Sequence, residues 1–177
     1  MPGLPLQKPL KERYQAEPGA ALVTLRAQGR LGEGVTCSVE TGRALVAAGL
    51  HPTTGGSGLA ACSGDMLLQA LVACAGVTLA AVATAIGVEL RGAVVRAEGD
   101  LDFRGTLGVS REVPVGFQRI VLHFDLDTDA SEEQRAAPLR LTECYCVVHQ
   151  TLQHPPPVEV VFADAAAAGG PSSPGAA

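Results

Sequence analysis

Cysteine is the residue type in this sequence with the widest chemistry, because its thiolate is both a nucleophile and a metal ligand. The chain contains five, namely Cys37, Cys62, Cys74, Cys144 and Cys146. Their odd number and irregular spacing do not match a secreted disulfide scaffold. They predict a protein of a reducing compartment, the cytoplasm.

Cys74 lies near the middle of an uncharged segment, residues 66–88, with the sequence MLLQALVACAGVTLAAVATAIGV. Leu71 and Thr78 flank it at helical spacing. A single cysteine in such a place is usually a small buried hydrophobic residue of low reactivity. On these residues alone, a packing role and a chemical role for Cys74 both stay open.

The other groups of reactive side chains do not match a metal site, a hydrolase triad or a phosphate-binding loop. Cys144, Cys146 and His149 suggest a metal site, but the two cysteines point to different faces of a helix and a second ligand pair with zinc spacing is missing. The four histidines are dispersed without the serine and aspartate context of a hydrolase triad. The glycine-rich run at 55–58 lacks the lysine of a phosphate-binding loop. We expect neither a metal nor an organic cofactor.

A long helix is predicted to carry Cys74. It should run from Gly64 to Ile86, with Ser63 as its cap, Asp65 in its first turn and Gly87 at its end. This length also fits a membrane crossing. Because no Lys, Arg or aromatic belt brackets the segment, we expect instead a helix wrapped by protein.

Alternating apolar and polar residues predict strands on both sides of this helix. The predicted strands are 21–27, 33–40, 89–103, 117–126 and 158–162. A turn at 29–32 should join the first two, and residues 105–116 should form a mobile loop. In the fourth strand, Ile120, Leu122 and Phe124 share one face.

Residues 131–153 predict helical structure. Ser131 and Gln134 have the spacing of a capping box. Because Pro138 interrupts the segment, we expect one helix or two short ones adjusted around it.

The length predicts one domain, and the order of strands and helices predicts the α+β class. The domain covers residues 21–164, between an arm (1–20) rich in Pro, Gly and charge and a disordered tail (165–177). The net charge is -5, and the 13 basic residues form no stripe. We therefore expect no nucleic-acid partner.

Two cysteine-containing blocks resemble the OsmC family, which includes the organic hydroperoxide resistance proteins. The block CSGDMLLQALVAC, which ends at Cys74, resembles the family's helix NPxELLLAALAAC. The block TECYCVVHQTL resembles AEKYCPVSxTL and places Cys146 on the matching cysteine. With the closing strand VEVVF, the resemblance extends over residues 20–164.

The resemblance implies antiparallel sheets packed around a long buried central helix in an intertwined homodimer, with active sites formed by both chains. It also implies a reaction. The Cys74 thiolate attacks a small-molecule hydroperoxide, Cys146 converts the resulting sulfenic acid into a disulfide, and an external dithiol or lipoyl-type reductant restores both thiols.

In the family, an arginine from the N-terminal strands stabilises the thiolate and an acidic residue at the helix start holds that arginine. Arg30 is the candidate for the first role, with Arg26 and Arg43 as alternatives. Asp65, nine residues before Cys74, is the candidate for the second. Asp65 can also be interpreted as a charge in the first helical turn that interacts favourably with the helix dipole.

The leading hypothesis is therefore a thiol-dependent peroxidase for organic hydroperoxides. Two alternatives stay open, since Asp65 is shorter than the usual glutamate and Val147 stands where the pattern has proline. They are a dimer that binds an apolar small molecule without catalysis and a redox-sensing thiol protein. Cys62, in the loop before the helix, is either an auxiliary thiol or a packed loop residue.

Overall fold

A computed structural model describes residues 16–17, 28–31, 36–40 and 45–162. The strands are β1 (Gln28–Leu31), β2 (Thr36–Glu40), β3 (Leu45–Gly49), β4 (Ala61–Cys62), β5 (Gly92–Asp100) and β6 (Arg119–Asp127). The helices are α1 (Ser63–Ala85), α2 (Phe103–Thr106), α3 (Glu132–Tyr145) and α4 (Val147–Gln153). The predicted α+β class is confirmed.

The first sheet has the order β1-β2-β3-β4, antiparallel except for the parallel pair β3 and β4. Gly29 pairs with Val39 inside it, so the turn predicted at 29–32 is wrong. Glycine favours turns but does not prevent strand pairing, and this strand continues through it. Residues 21–27, predicted as a strand, lie outside the described residues. Strand β3 was not predicted, because its small residues LVAAG give no alternation.

Helix α1 begins and ends within one residue of the predicted bounds. Ser63 is not its cap. Cys62 holds that position without a side-chain hydrogen bond, because β4 pairs up to Cys62 and the helix follows directly. Gly87 adopts φ +73°, the left-handed conformation that ends many helices, as predicted.

One face of α1 forms the core. Leu71, Ala75, Leu79 and Ala83, spaced four residues apart, are buried, and the helix packs on β5, α3 and α4. The opposite face is covered by nothing in the described chain, and Val77 is 73% exposed there. By length and composition α1 also passes as a membrane span, although the core helix of a soluble protein passes the same test. The predicted covering of α1 by protein is thus found on one face of the helix and not on the other in the described chain.

Strands β5 and β6 form a two-stranded antiparallel sheet. Val95 lies opposite Phe124 and Ala97 opposite Leu122, and these side chains pack against the core. The predicted apolar face of β6 is confirmed. The connection between the strands contains α2, and the ring of Phe103 stacks on His51 at 5.0 Å between centroids.

The capping box of Ser131 and Gln134 is present at the start of α3. Two helices follow, but they separate at Cys146 and not at Pro138, which lies inside α3. Pro138 is buried, and the Thr142 hydroxyl donates a hydrogen bond of 2.7 Å to its carbonyl. The helix is therefore not divided at Pro138, although this residue has no amide hydrogen to donate.

The predicted closing strand, Val158–Phe162, is not a strand in this chain. Val158, Val160, Val161 and Phe162 are instead among its most exposed large apolar side chains. Alternation predicts an extended segment but does not supply the partner edge that a strand needs. The tail 165–177 and most of the arm 1–20 lie outside the described residues.

Candidate active site

Cys74 and Cys146 lie side by side although 72 positions separate them in the chain. Cys146 has no exposed surface and forms a buried cluster with Leu71 and Ala75. Cys74 packs against this cluster and stays partly exposed. Both are free thiols. The structure thus brings the two sulfurs together with one of them open to small molecules.

The break between α3 and α4 places the first backbone amides of α4 beside Cys74. Cys146 has extended backbone angles, φ -72° and ψ 108°, and separates the two helices. At the start of a helix the first amide groups have no partner inside the helix. Here the amides of Val147 and Val148 donate hydrogen bonds to the Cys74 sulfur.

The pKa of Cys74 reflects two opposing effects. Burial raises the pKa of the thiol, but hydrogen bonds outweigh it and hold the pKa below the ordinary value. The donors, in order of effect, are the Val148 amide, the Cys146 thiol, the Val147 amide and the Thr78 hydroxyl. Cys74 is therefore the sulfur of the pair that ionises first.

The pKa of Cys146 moves in the other direction. Burial raises the pKa of this thiol, and the neighbouring Cys74 raises it further, against the amides of His149 and Val148, which lower it. Cys146 stays protonated while Cys74 ionises, so it can donate a hydrogen bond to the thiolate. The surroundings therefore shift the pKa values of the two thiols in opposite directions.

The donors to Cys74 are neutral groups. The backbone of Arg30 lies in β1, opposite Ser38, but its side chain is outside what the structure describes. Arg26 and Arg43 also lie outside the described residues. The two backbone amides were not predicted from the sequence. The signal that could have found them is the proline after the second cysteine in the family pattern, since proline favours the first position of a helix.

Asp65 does not lie beside Cys74 within this chain. Nine residues are two and a half helical turns, so the two side chains leave α1 on opposite sides. Asp65 is exposed and lines a cavity of about 410 Å³ with Leu68, Gln69, Val72, Ala73 and Ala97. Within one chain it cannot hold a cation at the Cys74 sulfur.

The remaining cysteines lie apart from the pair. Cys62 precedes α1, and twelve residues of helix correspond to roughly 18 Å, far beyond the 7 Å that limits a disulfide. Cys62 of the same chain therefore cannot resolve Cys74. Cys144 is exposed near the end of α3, whereas Cys146 is buried. In the described part of the chain, no three His, Cys, Asp or Glu side chains are grouped to hold a metal ion.

A mixed α+β fold around an apolar helix, with a low-pKa and a high-pKa cysteine in contact, defines a two-cysteine thiol protein. The sequence pattern of the OsmC-like protein family matches residues 55–161. The chain belongs to this family, and the resemblance noted from the cysteine blocks is confirmed.

Solved structures share the fold. An OsmC-like protein from Mycoplasma pneumoniae has 17% identity and a TM-score of 0.64 over 75% of this chain and 89% of its own. An organic hydroperoxide resistance protein OsmC from Legionella pneumophila has 18% identity and a TM-score of 0.60 over 76% and 92%. OhrB, the organic hydroperoxide resistance protein of Bacillus subtilis, has 16% identity and a TM-score of 0.52 over 76% and 94%. Among curated proteins the sequence has no match.

Proposed function

We propose that this protein is a thiol-dependent peroxidase that reduces organic hydroperoxides. The observation that carries the proposal is the contact between Cys74 and Cys146, in which the pKa of Cys74 is lowered and that of Cys146 is raised. Membership of the OsmC-like family and the fold shared with organic hydroperoxide resistance proteins support it.

The reaction follows from these roles. The Cys74 thiolate attacks the terminal oxygen of the hydroperoxide, the O–O bond breaks, and the alkoxide leaves as an alcohol with a proton from the Cys146 thiol. Cys74 is then a sulfenic acid. The Cys146 thiolate attacks its sulfur and displaces hydroxide, which becomes water on protonation. An external dithiol reduces the disulfide by exchange and restores the two protons.

The surroundings of Cys74 favour an alkyl hydroperoxide over hydrogen peroxide. Val77 lies one turn from Cys74 on the open face of α1, and Val147 lies beside it at the start of α4. They are 73% and 71% exposed. An alkyl tail that covers such side chains gains the free energy of apolar burial, which hydrogen peroxide cannot do.

The proposal includes a homodimer with sites at the interface. The uncovered face of α1 and the apolar segment 158–162 need a cover, and a second copy of the chain supplies both a helix face and a sheet edge. Because Asp65 faces away from Cys74 of its own chain, we expect it to act, with an arginine such as Arg30, at the partner's site.

The test is consumption of cumene hydroperoxide with dihydrolipoamide as reductant. Cys74→Ser should abolish turnover, because the nucleophile is gone. Cys146→Ser should allow one round of oxidation and no disulfide between positions 74 and 146. Cys144→Ser is the matched control, since this exposed cysteine lies two residues away and should leave turnover unchanged. Unchanged turnover in Cys74→Ser contradicts the proposal.

A groove between α1 and β5 favours the second candidate, a dimer that binds an apolar small molecule. Its volume is about 660 Å³, and its apolar lining includes Leu79, Ala83, Val88, Leu90 and Val95. Binding without catalysis predicts retention of a fluorescent fatty acid and no loss of two hydrogen masses after peroxide treatment. A redox sensor instead predicts the loss of two hydrogen masses on disulfide formation, without continuous consumption of peroxide.

A further inference from the structure

Thr78 lies one helical turn after Cys74. Its hydroxyl donates a hydrogen bond of 2.8 Å to the Cys74 carbonyl oxygen. Thr84 makes the same type of bond to Ala80, at 2.7 Å, ten residues further along α1 than Cys74. Such bonds are ordinary for threonine inside a helix. Thr78 differs from Thr84 because its bond is made to the residue that carries the reactive sulfur.

We propose that Thr78 is a positioning residue whose hydroxyl turns from the Cys74 carbonyl oxygen to the Cys74 sulfur when that sulfur ionises. A threonine hydroxyl has one proton and rotates freely about its C–O bond. Beside a neutral thiol, the carbonyl oxygen is the better acceptor. Beside a thiolate, the charged sulfur is the better acceptor, because hydrogen bonds to ionised groups are about twice as strong.

The environment of the hydroxyl supports this switch. The bond between Thr78 and Cys74 is partly buried, so water competes weakly for the proton. The Thr78 side chain also contributes to the lowering of the Cys74 pKa. The sheet presents apolar side chains to this cluster, namely Val95, Ala97, Ile120, Leu122 and Phe124. Among the described residues, Cys146 is the titratable group in contact with Cys74.

This assignment rests on the proposed function only in taking Cys74 as the reacting thiol. The two are tested separately, because alkylation of Cys74 requires no peroxide. A protein that alkylates as expected but does not consume peroxide contradicts the peroxidase and leaves the role of Thr78 intact.

The experiment measures iodoacetamide alkylation of the Cys74 peptide by mass spectrometry from pH 5 to pH 10 in the full chain. Thr78→Val removes the hydroxyl at nearly constant volume. Its alkylation midpoint should move to higher pH, and its rate at neutral pH should fall about two- to five-fold. Thr78→Ser should restore the wild-type profile. Thr84→Val, the matched control, should retain that profile.

Three results contradict the assignment: an unchanged profile in Thr78→Val, an equal shift in Thr84→Val, or a failure of Thr78→Ser to restore the midpoint. Circular dichroism checks that each variant is folded. If Thr78→Val does not fold, Thr78→Ala and Thr78→Ser form the deciding pair. They differ by one hydroxyl, and only the serine variant should keep the lower midpoint.

Discussion

The Cys146 thiol donates a hydrogen bond to the Cys74 sulfur, and the two cysteines respond with pKa shifts of opposite sign. Burial acts on both in the same direction. The difference arises because Cys74 accepts hydrogen bonds from α4 and from Thr78, which lower its pKa. The pKa of Cys146 is instead raised further by the Cys74 thiolate that it faces. In the proposed reaction, this contact makes Cys74 the nucleophile and keeps the proton on Cys146.

Loss of the Cys146 donor should make Cys74 less reactive at neutral pH. In Cys146→Ala the pKa of Cys74 should rise, so its alkylation midpoint moves to higher pH and the rate at neutral pH falls about two- to five-fold. Cys146→Ser retains a hydroxyl donor and should stay closer to wild type. A midpoint in Cys146→Ala at or below the wild-type value contradicts the donor role.

Loss of core packing beneath the site should lower stability. Leu71 is 1% exposed and belongs to the cluster with Ala75 and Cys146. Leu71→Ala should reduce the free energy of unfolding by about 2 to 5 kcal/mol in urea titrations at fixed protein concentration. Leu67→Ala, one turn earlier and 38% exposed, is the control with a smaller expected loss. Equal losses of unfolding free energy in the two variants would contradict the burial of the α1 face that carries Leu71.

The sequence predicted the parts of the fold that depend on local pattern. The apolar run defined α1 to within one residue at each end, and Ser131 with Gln134 predicted the start of α3. Contact between Cys74 and Cys146 was expected only through family resemblance, because helical spacing cannot connect positions 72 residues apart. Position along the chain carries no distance information at that range.

The sequence could not predict the features that depend on the backbone or on a partner. The amides that stabilise Cys74 belong to Val147 and Val148, whose side chains give no sign of the role. The alternation at 158–162 predicted a strand, but a strand also needs a neighbouring edge, and the segment forms no strand in the described chain. The edge that the proposed dimer would supply belongs to a second copy, and the sequence of one chain gives no pattern for it.

The exposed segment 158–162 should fail as an interface when one of its apolar residues becomes charged. Val160 is 75% exposed in the single chain. If a second copy covers it, Val160→Asp buries an unpaired charge and should weaken dimerisation at least ten-fold. Sedimentation velocity should show a shift from twice the chain mass of 18.0 kDa toward that mass. Glu159→Gln, at the adjacent exposed position, is the control, and a wild-type monomer contradicts the expectation.

The amide of Val147 can be removed without altering the helix that carries it. Val147 is the first residue of α4, the position where proline is best tolerated, and Cys146 already has the extended angles typical of a residue before proline. Val147→Pro therefore deletes one donor to the Cys74 sulfur, whereas Val147→Ala keeps it. The pKa of Cys74 should rise in the proline variant, with a higher alkylation midpoint and about two- to five-fold slower alkylation at neutral pH. The alanine variant should match wild type, and equal profiles for the two variants would show that this amide does not stabilise the thiolate.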